Sequence, residues 1–141
     1  MNEATTLAYP GYQGNPENNQ AVFGFIARHL LRQRAKSSIA TAGREETLCV
    51  FRGPGGLMCA AGCLVPDADY DPQWEHDGEI GGPDPFGHYS PSSRYFLGRG
   101  FDLQLLSDLQ WIHDLADVKE WPAKLSDAAS DWGLRSPETT P

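Results

Sequence analysis

The chain has 141 residues, of which 40% are hydrophobic and 21% are charged. This size and composition are typical of a single folded domain with its own apolar core. No stretch approaches the roughly 18 apolar residues of a membrane-spanning helix, and the first residues lack the basic patch and apolar run of a secretory signal. Three cysteines are too few for a disulfide framework. These features predict a cytoplasmic protein without membrane association.

The net charge of −8 is unevenly distributed along the sequence. Residues 1–60 carry six Lys/Arg against four Asp/Glu, a balance of +2, whereas residues 61–141 carry five against fifteen, a balance of −10. Acidic surfaces repel nucleic-acid phosphates, so we expect no direct binding to nucleic acid. Such a surface can steer a protein partner with a basic surface, although in many small proteins acidic charge serves only solubility.

Apolar residues at spacings of three and four predict three helices. They cover residues 18–36, 102–118 and 121–132. Asp102 is the expected N-cap of the second helix, and Gly133 ends the third.

Two further features of these helices matter below. Asn18 or Asn19 is the expected N-cap of the first helix. Arg28 and Arg32 lie one turn apart on it and form either an anion-binding face or, as charges at helical spacing usually do, an ordinary solvated face. Leu115 belongs to the predicted apolar stripe of the second helix.

The region between the first two helices contains the predicted β-structure. Residues 47–52 are rich in β-forming types, the glycine-rich residues 53–56 form a turn, and residues 57–60 return as a second strand. Residues 76–100 contain nine Gly or Pro among 25 residues and form a long loop. The sequence therefore predicts an α+β fold, in which a small antiparallel hairpin or sheet packs against about three helices.

The predicted domain organisation is simple. Residues 1–17 form a flexible N-terminal arm that Tyr9 and Tyr12 can pin to the body. Residues 18–134 form a single globular domain, and residues 135–141 form a flexible tail.

Cys49, Cys59 and Cys63 are the candidates for chemistry. They could bind zinc with a histidine as fourth ligand, His113 or alternatively His76 or His88, although the usual Cys-x-x-Cys spacing is absent. Alternatively, Cys59 or Cys63 is the nucleophile of a thiol enzyme, with His113 as base and Asp114 as orienting carboxylate. The ordinary interpretation is that the cysteines are reduced, unmetallated and buried as small hydrophobic residues.

The segment 67–84 contains no Lys or Arg and is the candidate partner-binding surface. Its carboxylates, with aromatic anchors from the loop, could dock on a basic partner. Alternatively, they cap turns and aid solubility. The aspartates at 67, 69 and 71 resemble a calcium loop, but Pro72 and Gly78 stand where that loop needs Gly and Glu. The predicted partner-binding residues are Asp67, Asp69, Asp71, Asp77, Glu79, Asp84, Phe86 and Tyr89.

The stretch CVFRGPGGLMCAAGCLVPDADY, followed by LLSDLQWIHD, resembles a family of small uncharacterised bacteriophage and prophage proteins. The specific elements are Cys59-Ala60-x-Gly62-Cys63-Leu64-x-Pro66-Asp67 and Leu109-Gln110-x-Ile112-His113-Asp114. The resemblance covers most of residues 20–134 and departs in residues 76–100 and in the N-terminal arm.

The resemblance implies a mobile-element accessory protein in the cytoplasm of a bacterial host, without a named activity. Together with the acidic charge, it predicts a non-enzymatic protein that binds and inhibits a host protein with a basic surface. An anti-defence role through imitation of nucleic-acid phosphates is one form of this prediction. The alternative is the Cys/His-centred zinc protein or thiol enzyme.

Overall fold

The computed structural model describes residues 9–40, 47–76 and 80–136, with only the backbone of residues 40, 47 and 48. Within these ranges the helices are α1 (Asn19–Gln33), α2 (Pro91–Arg99), α3 (Leu103–Leu115) and α4 (Trp121–Asp131). Short 3-10 turns lie at Pro54–Gly56, Gly62–Leu64, Pro72–Glu75 and Val118–Glu120. The strands β1 (Ser38–Ala40) and β2 (Thr47–Cys49) pair antiparallel, with Ile39 opposite Leu48.

The α+β prediction is wrong, because the protein is mostly helical. The ribbon of β1 and β2 is only three residues long on each side, and its first strand lies outside the segments predicted as strands. The expected pairing of residues 47–52 with 57–60 is reduced to a single bridge between Arg52 and Met58.

Side chains from elsewhere in the fold occupy the backbone groups that the expected hairpin would use. The Gln33 amide on α1 accepts from the Met58 N–H at 3.0 Å and donates to the Met58 carbonyl at 2.9 Å. The Glu75 carboxylate accepts from the backbone N–H groups of Phe51 at 2.9 Å and Arg52 at 3.2 Å. These bonds satisfy the backbone without a second strand.

Three helices lie within the ranges predicted from the sequence, with the predicted caps. Asn18 Oδ1 accepts from the Ala21 N–H, and Asp102 Oδ1 accepts from the Gln104 N–H. Gly133 follows α4 with φ of +67°, a conformation that favours glycine.

The fourth helix, α2, lies inside the segment predicted as a long loop. Its start carries ordinary helix signals, because the Ser90 side chain accepts from the Ser93 N–H and Pro91 occupies the first turn. Gly100 ends the helix with φ of +96°. The high Gly and Pro content of the surrounding segment hid these signals.

The helices α1, α3 and α4 pack against one another and share the core. Its largest fully buried side chains include Phe23, Ile26, Leu30, Phe96, Leu105, Leu106, Leu109, Trp121 and Leu125. Phe25 and Trp132 pack at its edge. Among the described residues, no helix is long and apolar enough to cross a membrane.

The described part of the N-terminal arm packs on the turn at residues 63–67. The Tyr12 N–H donates to the Leu64 carbonyl at 3.0 Å, and the Tyr9 hydroxyl donates to the Cys63 carbonyl at 2.8 Å. Gly11 has φ of +72°, and a Cβ there would lie 2.7 Å from the Leu64 oxygen. The two tyrosines therefore hold the arm, and a side chain at Gly11 would prevent this approach.

Candidate functional site

Only part of the predicted Cys/His set comes together in the structure. The potential ligand atoms of Cys49, His113 and Asp114 lie within 4.8 Å of one another. Among the described residues, Cys59 and Cys63 belong to no such group. Asp114, and not Cys59 or Cys63, therefore completes the group of potential metal ligands with Cys49 and His113.

Both ring nitrogens of His113, which is fully buried, are already hydrogen-bonded. The Ser37 N–H donates to Nε2 at 2.9 Å. Because Nε2 is the acceptor, the ring proton sits on Nδ1 and is donated to Asp114 Oδ1 at 2.7 Å. A catalytic base or metal ligand needs a free ring nitrogen, and His113 offers none. Its geometry is that of a satisfied structural histidine.

Asp114 is the centre of this polar cluster. Its Oδ1 also accepts from Gln110 Nε2 at 2.8 Å, and the Cys49 Sγ lies within 4.8 Å of its carboxylate. Burial, together with the negative charge of Asp114, raises the pKa of Cys49 to about 11. A thiol that stays protonated at neutral pH is a poor nucleophile and a poor metal ligand. The cluster ties the end of β2 to α3 and supports no catalytic step.

The other two thiols are buried among backbone groups. Cys63 Sγ donates to the Ala60 carbonyl at 3.1 Å, and Cys59 Sγ accepts from the Gly62 N–H at 3.2 Å. Burial raises the pKa of Cys59 to about 12 and that of Cys63 well above its ordinary value. This environment fits the packed, reduced cysteines of the ordinary interpretation.

Two aspartates of the predicted docking segment form ion pairs within the protein. Asp67 accepts from the Tyr9 N–H at 2.6 Å and lies 3.3 Å from the Arg52 guanidinium. Asp69 accepts from the Tyr95 hydroxyl at 2.7 Å and is paired with Arg99. Much of their charge is therefore neutralised locally.

The other predicted docking residues that the structure describes each have their own local contacts. Asp71 caps the turn Pro72–Glu75 through the Gln73 N–H, and Asp84 accepts from the N–H groups of Phe86 and His88. Phe86 is 84% exposed, whereas Tyr89 packs partly against the core. Asp77 and Glu79 lie outside the described residues. The described carboxylates of this segment therefore form ion pairs and caps within the protein.

A different surface combines exposed aromatic area with acidic charge, namely the cleft between α3 and α4. It has a volume of about 400 Å³. Its lining comprises Asp108, Trp111, Ile112, Lys124, Asp127, Ala128, Asp131 and Trp132. Ile112 and Ala128 are buried and form an apolar floor.

Trp111 is the notable side chain of this cleft, because it is 57% exposed. Leu115, one turn further along α3, is 64% exposed, which corrects its assignment to the buried stripe. The other tryptophan is fixed in place, since Trp132 Nε1 donates to Asp108 Oδ2 at 2.9 Å. Exposed apolar side chains grouped beside a cleft are a common mark of an interaction site.

The charge around this cleft is predominantly negative. The carboxylates of Asp108, Asp127 and Asp131 line it, against one ammonium from Lys124. None of these residues forms an ion pair within the described part of the chain. The cleft therefore presents an apolar floor, an exposed indole and uncompensated acidic charge.

This site was not predicted from the sequence, because the apolar stripes of the helices indicate only their buried faces. Trp111 lies off the apolar stripe of α3, on the face that also carries Asp108. A tryptophan on the polar face of an amphipathic helix was the available signal. The cleft itself depends on how α4 packs against α3, which helical spacing alone does not define.

Comparisons with known proteins give no relative. No protein-family model, no curated protein and no solved structure matches the chain.

Proposed function

We propose that this protein is a non-catalytic binding protein and that the α3–α4 cleft docks a partner with a basic surface. The observation that carries the proposal is the 57% exposure of Trp111 within an acidic cleft. A large indole exposed to water leaves apolar area that association can bury.

The chemistry of the cleft defines the partner. Tryptophan is among the residues that contribute most to binding energy at interfaces, and Leu115 extends the apolar area beside Trp111. Carboxylates at the rim favour Lys or Arg on the opposing surface and accelerate association. The partner surface should therefore present an apolar side chain flanked by basic residues.

The state of the thiols and of His113 favours binding over catalysis. The three cysteines have raised pKa values, and both His113 nitrogens are occupied. A described cysteine thiol would therefore find no free ring nitrogen on His113 to act as its base.

The resemblance to bacteriophage and prophage proteins supplies a biological setting for the proposal. In that setting the partner is a host protein with a basic surface, and occupation of this surface inhibits it. Partners that normally bind nucleic acid have such surfaces. The excess of acidic residues after residue 60 supports this choice of partner.

The test begins with capture of partners from a bacterial lysate, followed by association kinetics on the purified pair. Trp111→Ala should weaken the complex roughly tenfold or more, mainly through faster dissociation. The joint change of Asp127 and Asp131 to Asn should slow association and flatten its dependence on salt.

Phe86→Ala is the matched control, because Phe86 is a still more exposed aromatic residue outside the cleft. It should leave the kinetics unchanged. Unchanged binding by the Trp111 variant, together with weaker binding by the Phe86 variant, would place the interface at the 67–84 segment and refute the cleft.

A further inference from the structure

A second cleft, of about 790 Å³, lies between the first half of α1 and the segment that follows α4. Arg28 and Arg135, which are 107 positions apart in the sequence, both line it. Tyr12, Asn18 and Phe23 also contribute to its walls. The fold therefore places two arginines at one concave surface.

The backbone at Arg135 is fixed to α1 by two hydrogen bonds. The Arg135 N–H donates to Gln20 Oε1 at 2.7 Å, and Gln20 Nε2 donates to the Arg135 carbonyl at 3.3 Å. Reciprocal pairing of this kind sets the position from which the Arg135 side chain extends. The segment after α4 is thereby held beside α1 at this cleft.

The guanidinium of Arg28 packs against α1 at Gly24, where no side chain blocks it. Gln20, Gly24 and Arg28 follow one another at intervals of four and therefore share one face of α1. Arg28 Nη1 lies only 3.0 Å from the position that a Cβ on Gly24 would occupy. Glycine is unfavourable inside a helix, and here its missing side chain leaves the space in which the guanidinium lies.

Neither arginine has a carboxylate partner within the described residues. Arg52 and Arg99, by contrast, form ion pairs with Asp67 and Asp69. No acidic residue is among those that line the cleft in the described part of the chain. In a chain with a net charge of −8, this is a local concentration of unneutralised positive charge.

We infer that this cleft binds the phosphate group of a small phosphorylated molecule, a function separate from docking at α3–α4. Guanidinium forks match phosphate oxygens in geometry and charge. The volume falls in the range of roughly 300–1,000 Å³ typical of small-molecule sites. Tyr12, which is partly exposed, offers an apolar contact to the remainder of the molecule, and the overall acidic charge disfavours a polynucleotide.

The experiment titrates the isotopically labelled protein with inorganic phosphate, AMP and citrate, and follows backbone amide shifts by NMR. Phosphate and AMP should shift the amides of Gln20, Gly24 and Arg28, with AMP bound more tightly. Arg28→Gln and Arg135→Gln should each weaken AMP binding roughly tenfold, since each removes a charge-assisted bond. Arg32→Gln, which removes the same charge one turn along α1, should change it by less than about twofold.

Gly24→Ala separates binding from stability. Alanine is the better helix former, so the thermal midpoint should not fall, but its methyl group should displace the Arg28 guanidinium and weaken AMP binding. Three results would overturn the inference: no amide shift with about 10 mM phosphate or AMP, equal losses in the Arg32 and Arg28 variants, or citrate bound as tightly as AMP.

Discussion

Burial determines what the individual cysteines of this protein can do. The sequence placed three thiols near the centre of the chain, and the structure surrounds two of them with apolar side chains and backbone carbonyls. The sequence also singled out His113 and Asp114. It could not reveal the Ser37 N–H that occupies His113 Nε2, because that contact joins residues 76 positions apart.

The raised thiol pKa values predict a loss of stability at alkaline pH. The thiol of an unfolded cysteine has a pKa of about 8.5, whereas burial raises the pKa of Cys49 to about 11 and that of Cys59 to about 12 in the folded protein. Between these values the unfolded chain releases protons that the folded protein retains. The thiol contribution to stability is therefore complete below about pH 8.5 and is lost as the pH rises toward 11.

Urea unfolding under reducing conditions at about pH 8 and about pH 10 measures this effect. Wild type should lose stability between the two values, and Cys49→Ser should lose less, because one titrating group has been removed. An equal loss in both proteins would show that the Cys49 thiol does not contribute. Burial also raises the pKa values of Tyr9 and Tyr95 to about 12. These tyrosines therefore contribute to the loss of stability that wild type and the Cys49 variant share.

Among the secondary-structure elements, those defined by local signals were predicted well and those defined by distant contacts were not. Asn18 and Asp102 cap their helices as expected, because a cap depends on residues two or three positions away. The expected hairpin at residues 47–60 failed because Gln33 and Glu75 take its backbone bonds. Helix α2 had local signals, but a glycine- and proline-rich background outweighed them.

Glu75 should be an important support of the segment that replaces the hairpin. Its carboxylate accepts from the Phe51 and Arg52 N–H groups and from the Tyr70 hydroxyl. Glu75→Ala leaves these three donors without their acceptor and should cost about 2–4 kcal/mol of unfolding free energy. The measurement is the urea midpoint with its slope.

Asp71→Ala is the comparison for this prediction. Asp71 is also acidic and lies in the same region, but among the described residues its side chain accepts only from the Gln73 N–H, as a cap. Its replacement should cost about 1 kcal/mol. Equal costs for the two variants would mean that the Glu75 bonds add nothing beyond an ordinary cap.

In the molecule as a whole, one apolar core joins α1, α3 and α4 with the turn that carries Cys59 and Cys63. Helical spacing predicts only the part of this core that the apolar faces of α1, α3 and α4 contribute, because burial along a helix follows its period. The positions of the two clefts could not be identified in this way. Each lies where separate elements meet, and the sequence does not state which helices become neighbours.

Two leucines of α3 test the shared core. Leu109 is fully buried, whereas Leu115 is 64% exposed. Leu109→Ala should lower the unfolding free energy by about 2–5 kcal/mol, since it leaves a cavity. Leu115→Ala should change it by less than about 0.5 kcal/mol.

Circular dichroism and tryptophan fluorescence should follow the urea transition of both variants. The two signals should coincide, because a single core unfolds cooperatively. Equal costs for the two leucine variants would show that α3 presents a different face to the core.

The binding of the N-terminal arm to the turn at residues 63–67 has a consequence for the order of folding. Tyr9 bonds to a residue 54 positions later in the chain, and closing so long a loop is entropically costly before the rest has formed. We therefore expect the arm to attach after the rate-limiting step. Bonds formed that late leave the folding rate nearly unchanged but slow unfolding. The arm should thus lengthen the lifetime of the folded protein, which is a contribution to kinetic stability from a segment that attaches late in folding.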